Sequence, residues 1–406
     1  MLDFNQIKTL TIFGDGITAN AVKKKLEEFN EFKIVSANES PDLGVISPGL
    51  TPSEYTSKYS YPIISEIELA YYLFLYVKKK PFFIAITGTN GKTTTTHLVA
   101  SLLNIAMAGN VGIPLINYVS KDTQKIPDML SVELSSYQLE QSPCFHPEIY
   151  ILLNITEDHL NRHKTIDNYT QVKLSPVYTQ TKSDYFIYNG TDAYIQKNLD
   201  RSRCKSQLID FKSKRAELNS LLILSPLFGE HNIDNLLATL CAVQLVTKND
   251  LSDKIKKLKS VPHRLEKTGI INSIQFINDS KATNPDSTNA ALASFNLKNV
   301  ILLLGGKRKE VSYESTFAII RKHNVRVILF GGDRDYFKQE LKDYGHIIGN
   351  EKTMTAATRV AYQNANKNDI ILLSPGCASF DEFQNFEERG NAFKQFVSGL
   401  STNQSS

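Results

Sequence analysis

Short apolar runs separated by turn-rich segments recur along the whole of this chain. Before residue 80 they fall at Leu10–Phe13, Lys33–Ser36, Gly44–Ser47 and Ile63–Ile64. A helical pattern over Asn20–Phe29 lies between the first two, so this stretch reads as a small α/β unit. From Pro81 to Val261 the runs are Phe82–Ile86, Met129–Glu133, Ile149–Ile155 and Tyr185–Tyr188. They are near-continuous rather than alternating, as strands of a parallel sheet covered on both faces are. A long helical pattern covers His231–Thr247. From Pro262 onward the runs Ile274–Asn278, Val300–Leu304, Val327–Phe330 and Ile370–Leu373 alternate with helical patterns, which predicts a second, doubly wound α/β unit. The prediction is an α/β protein of three blocks, 1–80, 81–261 and 262–406, without repeats or low-complexity segments.

Composition narrows the field by exclusion. At 406 residues each block is long enough to bury a core. A net charge of +4 is small for that length, and no basic block carries interleaved aromatics, so nucleic acid is not an expected partner. Cys144, Cys204, Cys241 and Cys377 are far apart and form no Cys-x-x-Cys pair, which fits a reducing cytosol. The run Leu69–Val77 is too short to span a bilayer, and no signal peptide is expected ahead of the first strand. The polar tail Ser401–Ser406 is expected to fray.

The strongest local signal is Thr87-Gly88-Thr89-Asn90-Gly91-Lys92-Thr93-Thr94, directly after the run Phe82–Ile86. Strand, glycine loop and Lys-Thr helix start occur in register. The spacing Gly88-x-x-Gly91-Lys92-Thr93 is two residues shorter than the usual phosphate loop. Glycines let backbone N–H groups close on phosphate oxygens, and the helix N-terminus adds positive potential. Lys92, expected in an exposed loop, would neutralise the outer phosphates, and the Thr93 hydroxyl would ligate Mg²⁺. ATP or GTP binding follows. A second glycine turn, Gly14-Asp15-Gly16-Ile17-Thr18-Ala19, approximates a dinucleotide fingerprint, with Glu39 near the place of a ribose-binding acid. A plain strand–helix turn accounts for it equally well.

Further polar clusters fall at strand ends, where ligands of open α/β sheets sit. Glu133 closes one run and could hold Mg²⁺ or a metal-bound water. His159 and His163 have a spacing that would suit zinc, but the Glu of a His-Glu-x-x-His motif is missing. Asn232 and Asn235 follow Gly229, and could read an adenine edge or cap a helix. Arg264 opens the third block and could reach a phosphate or form a salt bridge. The segments Asn278–Pro285, Gly305–Lys309 and Ser374–Ser379 bring basic and hydroxyl groups to three strand ends of one sheet, which suits a small dicarboxylate. By composition alone Lys173 is a solvated helix charge.

Together these motifs resemble the Mur ligase family, ATP-dependent amide-forming enzymes of peptidoglycan precursor synthesis. The resemblance rests on Gly88–Thr94, Glu133-Leu134-Ser135-Ser136-Tyr137-Gln138, Thr156–His159, Gly229-x-His231-Asn232-x-x-Asn235, Pro262-His263-Arg264, Asn278–Asn284 and Ser374–Gly390. Asp279-Ser280-Lys281-Ala282-Thr283-Asn284 is the most specific run and points to the D-glutamate-adding branch. The resemblance implies a Rossmann-like UDP-binding domain, a central phosphate-loop ATPase and a Rossmann-like C-terminal domain. It implies ATP contacts at Gly88, Thr89, Asn90, Gly91, Lys92, Thr93, Thr94, Asn235, Arg264, Asp279 and Lys281. Gly16, Ile17, Thr18, Asn110 and Ser135 would serve UDP-N-acetylmuramoyl-L-alanine, and Thr283, Lys309, Ser379 and Phe386 the incoming D-glutamate. Two Mg²⁺ sites are implied, one at Thr93 and Glu133, the other at His159 and a carbamylated Lys173. Lys92, His159, Lys173 and Arg264 would be catalytic, in a cytoplasmic bacterial enzyme that closes its domains and acts as a monomer. The chain departs from the family pattern at Ala37-Asn38-Glu39-Ser40, where Asp-Thr-Arg is usual, and at Lys307-Arg308, where an acid and a glycine are usual. Other readings are an amide ligase for a different amino acid, a nucleotide-switched regulatory module, and a nicotinamide-linked oxidoreductase built on Gly14–Ala19.

Overall fold

The structure is a computed structural model that describes residues 3–227 and 229–402; most of the tail expected to fray, 403–406, lies outside the described residues. Three sheets are present. The first has strands β1 (Thr9–Phe13), β2 (Lys33–Ile34), β3 (Leu43–Ile46) and β4 (Ile63–Ser65), all parallel in the order β2-β1-β3-β4. The second has β5 (Phe82–Thr87), β6 (Ala106–Gly109), β7 (Met129–Glu133), β8 (Ile149–Leu152), β9 (Tyr185–Tyr188) and β10 (Gln207–Asp210). It is parallel throughout, in the order β10-β9-β8-β5-β7-β6. The third has β11 (Glu266–Ile271), β12 (Ile274–Asn278), β13 (Val300–Gly305), β14 (Arg326–Phe330), β15 (Ile347–Glu351) and β16 (Ile370–Leu373). Its order is β11-β12-β16-β13-β14-β15, parallel except for the β11–β12 pair.

The chain divides into two compact units. The first takes in the chain up to Ser225 together with Asp234–Lys257, and the second takes Pro226–Ile233 and the chain from Leu258 on. Within the first unit one apolar core runs from the first sheet to the second, through Leu10, Val45, Ile67, Phe74, Phe83 and Tyr150. Within the second unit the third sheet is buried on both faces. Successive residues of β13 alternate between them, Leu302 and Leu304 facing Phe317 and Phe337, Ile301 and Leu303 facing Met354 and Phe393.

The interior strands match the apolar runs within a few residues, and the four unforeseen strands, β6, β10, β11 and β15, all lie at sheet edges. An edge strand buries little, so it needs no continuous apolar run. β6 and β11 contain one buried residue each, and β10 and β15 have none. The run Ile149–Ile155 is shorter as a strand than its hydrophobicity suggests. β8 stops at Leu152, and residues 153–155 leave the ladder to meet the glycine loop. Among the described residues no helix is long and apolar enough to cross a membrane.

Candidate active site

The loop after β5 has the geometry that its glycines predict. Gly88 and Gly91 sit at φ +155° and +85°. A Cβ on Gly91 would lie 2.3 Å from Asn235 Oδ1 and 3.1 Å from Leu153 Cδ1, so Asn235 packs directly against the loop. Asn154 clamps the other side. Its Oδ1 accepts from Asn90 N (2.9 Å), its Nδ2 donates to Asn90 O (3.1 Å), and its carbonyl accepts from Thr89 N (3.0 Å). The helix Lys92–Leu103 starts at Gly91 with no side chain capping it, and its N-terminal dipole directs positive potential at the loop. Thr93 is its second residue and is half-buried; Thr94 is buried. Gly91→Ala is expected to weaken ATP binding about tenfold or more, since a strained backbone alone costs about 1–3 kcal/mol. Titration calorimetry measures this, and unaltered affinity would remove the loop from the nucleotide site.

Lys92 corrects an expectation. It opens the helix as the Lys-Thr start predicts, but it is half-buried rather than exposed, and its Nζ donates to Gly88 O (2.9 Å) and Thr89 O (2.8 Å). Lys173 corrects a larger one. Instead of a solvated helix charge it is 1% exposed. Its Nζ donates to Thr87 Oγ1 (3.1 Å) and Gly88 O (3.0 Å) and lies 4.8 Å from the centre of the Tyr169 ring. Burial, and then repulsion by Lys92, hold its amine well below the usual lysine range.

Two more strand ends face the same side of the second sheet. Glu133 ends β7 and is 2% exposed. Its Oε1 accepts from Asn110 Nδ2 (2.7 Å), while Oε2 is buried with no partner among the described residues. Ser135 caps the short helix Ser136–Leu139 in a reciprocal pair with Gln138. Beyond β8, His159 adopts φ +55° and is exposed. Its Nδ1 is 2.9 Å from Tyr137 OH, and its Nε2 is 3.5 Å from Asp158 Oδ2. His163 turns elsewhere, to Ser136 Oγ (3.0 Å) and Glu140 Oε1 (3.2 Å). With these partners the two histidines turn apart and do not form one metal pair; burial, with His159 and Lys173 nearby, pushes the His163 imidazole down to about 4.

In the second unit the ends of β12, β16 and β13 are neighbours, so the three polar loops do meet on one side of the sheet. Asp279 is buried. Ser374 Oγ donates to its Oδ2 (2.8 Å) and Leu265 N to its Oδ1 (3.2 Å), and burial pushes its carboxyl up to about 7. Arg264 and Thr283 are half-buried. Lys281 Nζ stands 3.8 Å above the centre of the Phe386 ring. Ser379 is buried and starts a turn in which Phe383 N donates to its carbonyl (2.8 Å). The loop of Lys309 departs from the family pattern yet is firmly held. Lys307 exchanges both backbone bonds with Ala378 (2.9 Å each), Arg308 N donates to Asp333 Oδ2 (2.8 Å), and Lys309 N donates to Tyr313 OH (3.2 Å).

Sequence reasoning missed Arg389. Its guanidinium is 1% exposed and donates to Ser280 Oγ (3.0 Å), Ser280 O (2.8 Å) and Cys377 O (3.1 Å), tying the β12 loop to the β16 loop. Its sequence signal was its place near the end of the run Ser374–Gly390, from which it was not singled out. In the first sheet, Gly16 precedes the helix Ile17–Glu28 without a capping side chain; Ile17 is 81% exposed and Thr18 half-buried. Glu39 closes a capping box on Ser36 N (3.0 Å), a local structural role for this residue.

Comparison with known proteins places the chain among relatives in sequence and in fold. The model of the Mur ligase middle domain matches residues 86–243, and that of the Mur ligase, glutamate ligase domain matches residues 263–377. The UDP-N-acetylmuramoylalanine–D-glutamate ligase of Clostridioides difficile (strain 630) is 32% identical, over 97% of this chain and 95% of its own. The enzyme of the same name from Elusimicrobium minutum is 36% identical over 89% and 86%. In fold, the chain is similar to MurF ligase from Thermotoga maritima in complex with ADP, with a TM-score of 0.60 at 13% identity over 98% and 97% of the two chains. The similarity in sequence runs nearly end to end through both partners, and this chain belongs to the Mur ligase family.

Proposed function

We propose that this chain is an ATP-dependent, ADP-forming ligase that joins D-glutamate to UDP-N-acetylmuramoyl-L-alanine in the cytoplasm, acting as a monomer. The supporting observation is the loop Gly88–Thr94, clamped by Asn154 and Asn235 with Lys92 and Lys173 bonded to its carbonyls, in a chain similar along its length to D-glutamate ligases. The functional division is 1–80 for the UDP substrate, 81–261 for ATP and 262–406 for the amino acid. The carboxylate of the UDP-linked acid attacks the γ-phosphorus of ATP and ADP leaves. The amine of D-glutamate then attacks the acyl carbon, phosphate leaves, and the nitrogen loses a proton. The protein's task is positioning and charge neutralisation. Gly88–Thr94, Asn235, Arg264, Asp279 and Lys281 serve ATP. Gly16, Ile17 and Thr18, at an uncapped helix start, serve the pyrophosphate of the UDP substrate, with Asn110 and Ser135 toward its muramoyl end.

The donor set suits Mg²⁺ once one residue is modified. Among the described residues no three His, Cys, Asp or Glu side chains group as a cation site. Glu133 nevertheless keeps one buried carboxylate oxygen without a partner, and the Thr93 hydroxyl opens the adjacent helix. His159 and Lys173 would hold a second ion only with Lys173 as a carbamate, because an amine offers a hard cation no anionic oxygen. Bound Mg²⁺ would draw charge from the transferring phosphoryl group.

D-Glutamate is assigned to Thr283, Lys309, Ser379 and Phe386. Two hydroxyls and an ammonium pair with its two carboxylates, and the Phe386 ring, capped on one face by Lys281, walls its stem. L-Glutamate misdirects one of these contacts and is expected to be roughly 10²-fold poorer, for a charged contact worth about 3 kcal/mol. Ser379→Ala is expected to raise the KM for D-glutamate and leave that for ATP nearly unchanged. Phosphate release is measured with ATP and the UDP-linked acid saturating. Equal rates with the two enantiomers would sink the assignment, slow release with ATP alone would indicate a switch, and none at all would favour the oxidoreductase.

A further inference from the structure

Two glutamates interrupt the apolar helix Glu66–Tyr76 at its first turn, and both are buried. A carboxylate rarely lies at 2% exposure without a task, since its desolvation is costly. Burial pushes the Glu66 carboxyl up to about 7, and neither this helix nor the segment it faces places a cation against it; its neighbours are the backbone amides of Ile116 and Leu115. Glu66 Oε1 accepts from Ile116 N at 2.6 Å. That amide belongs to the segment that brings Asn110 to the site.

The segment is held at two ends. At one, Asn110 N donates to Glu133 O (2.9 Å), Asn110 Nδ2 to Glu133 Oε1 (2.7 Å), and Gly109 N to Ile113 O (3.0 Å). Between the ends it is exposed at Asn110, Gly112 and Ile113, and Gly112 takes φ +77°. At the other, Leu115 and Ile116 are fully buried and Tyr118 OH donates to Met107 O (3.0 Å), which keeps the segment on the protein. Apolar burial is non-directional, however. The Glu66 bond is the directional contact that joins this end to the helix that follows β4, and with Lys25 Nζ donating to Val119 O (2.8 Å) it ties the segment to the sheet assigned to the UDP substrate.

We infer that Glu66 is a positioning residue for the UDP-linked acid: it fixes residues 110–116 so that Asn110 meets the substrate at a set distance from the first sheet. This rests on the reading of Asn110 given above. Glu66→Ala is expected to raise the KM for the UDP-linked acid about tenfold, the loss expected for a carboxylate hydrogen bond. The KM values for ATP and D-glutamate and the kcat should stay within about twofold, as when a positioning contact shared by ground and transition states is lost. Hydrogen–deuterium exchange should quicken in 109–118 and not in 88–94. Glu66→Gln keeps one acceptor but turns an amide N–H toward Leu115, so it should show the same changes at smaller amplitude, and it serves if the alanine variant does not fold. Asn110→Ala is measured in parallel. If Asn110→Ala raises the KM for the UDP-linked acid and the Glu66 variants do not, the inference is overturned. If Asn110→Ala leaves that KM unchanged, the reading of Asn110 fails, and the exchange data alone decide whether Glu66 holds the segment; unaltered exchange in 109–118 overturns the inference in either case.

Discussion

Replacing Lys92 by alanine is expected to lower kcat by roughly 10²-fold or more, the loss typical of a missing preorganised charge stabiliser. In the structure the ammonium is held across the glycine loop by the carbonyls of Gly88 and Thr89, at the start of a helix whose first N–H groups have no side-chain cap. Those bonds fix where the charge stands before nucleotide arrives, so little reorganisation is needed as phosphoryl charge develops. Lys92→Met keeps the length of the side chain and deletes the charge, and should be nearly as poor as Lys92→Ala. Because Lys92 is only half-buried, thermal unfolding should change far less than turnover. A folded alanine variant that keeps more than about a tenth of wild-type activity would defeat the phosphate-loop assignment, given the size expected for such a group.

What the sequence made legible was the backbone logic. Interior strands bury both faces and announce themselves as apolar runs; edge strands such as Ile347–Glu351, with no buried residue, do not. The glycine loop was readable because each glycine answers a local steric need, as the clash of a Gly91 Cβ with Asn235 shows. The partners of the loop were harder to see. Asn235 is over a hundred residues away in sequence, and only tertiary packing brings it there. Charged side chains were the least legible. A lysine in a helix reads as solvent-facing, since lysine is seldom buried, yet Lys173 lies beneath the loop. Arg389 is a bare cation on a helix until its four carbonyl and hydroxyl acceptors, drawn from two loops, are in place. Burial of such groups is a property of the assembled sheet ends, and no local pattern encodes it.

Lys173→Ala is the second change expected to be severe, with activity falling roughly 10²-fold or more, the scale of a lost electrostatic ligand. The reason begins with the donors of the amine. Thr87 Oγ1 donates its own proton to Leu134 O (2.8 Å), so toward Lys173 it can only accept. Gly88 O is the other acceptor. A neutral amine has two N–H groups, which these two acceptors satisfy, and one lone pair left over. An ammonium would turn its third proton toward the Tyr169 ring, in a site where burial and Lys92 already oppose the charge. The lone pair of a neutral amine attacks the carbon of CO₂ and a proton leaves the nitrogen. The product is a carbamate, an anionic oxygen donor of the kind Mg²⁺ prefers. The expected results are therefore linked. A carbamate resonance should appear in ¹³C spectra of wild-type protein under labelled CO₂ and be absent from Lys173→Ala. Activity of the wild type should fall on removal of CO₂ and return with bicarbonate. If Lys173 carries a carbamate, formate or acetate should restore part of the activity of Lys173→Ala and none to Lys92→Ala, because only the first variant would then lack an anion. A Lys173 that stays an unmodified amine in the presence of nucleotide, Mg²⁺ and bicarbonate, in an enzyme at full activity, would rule the modification out.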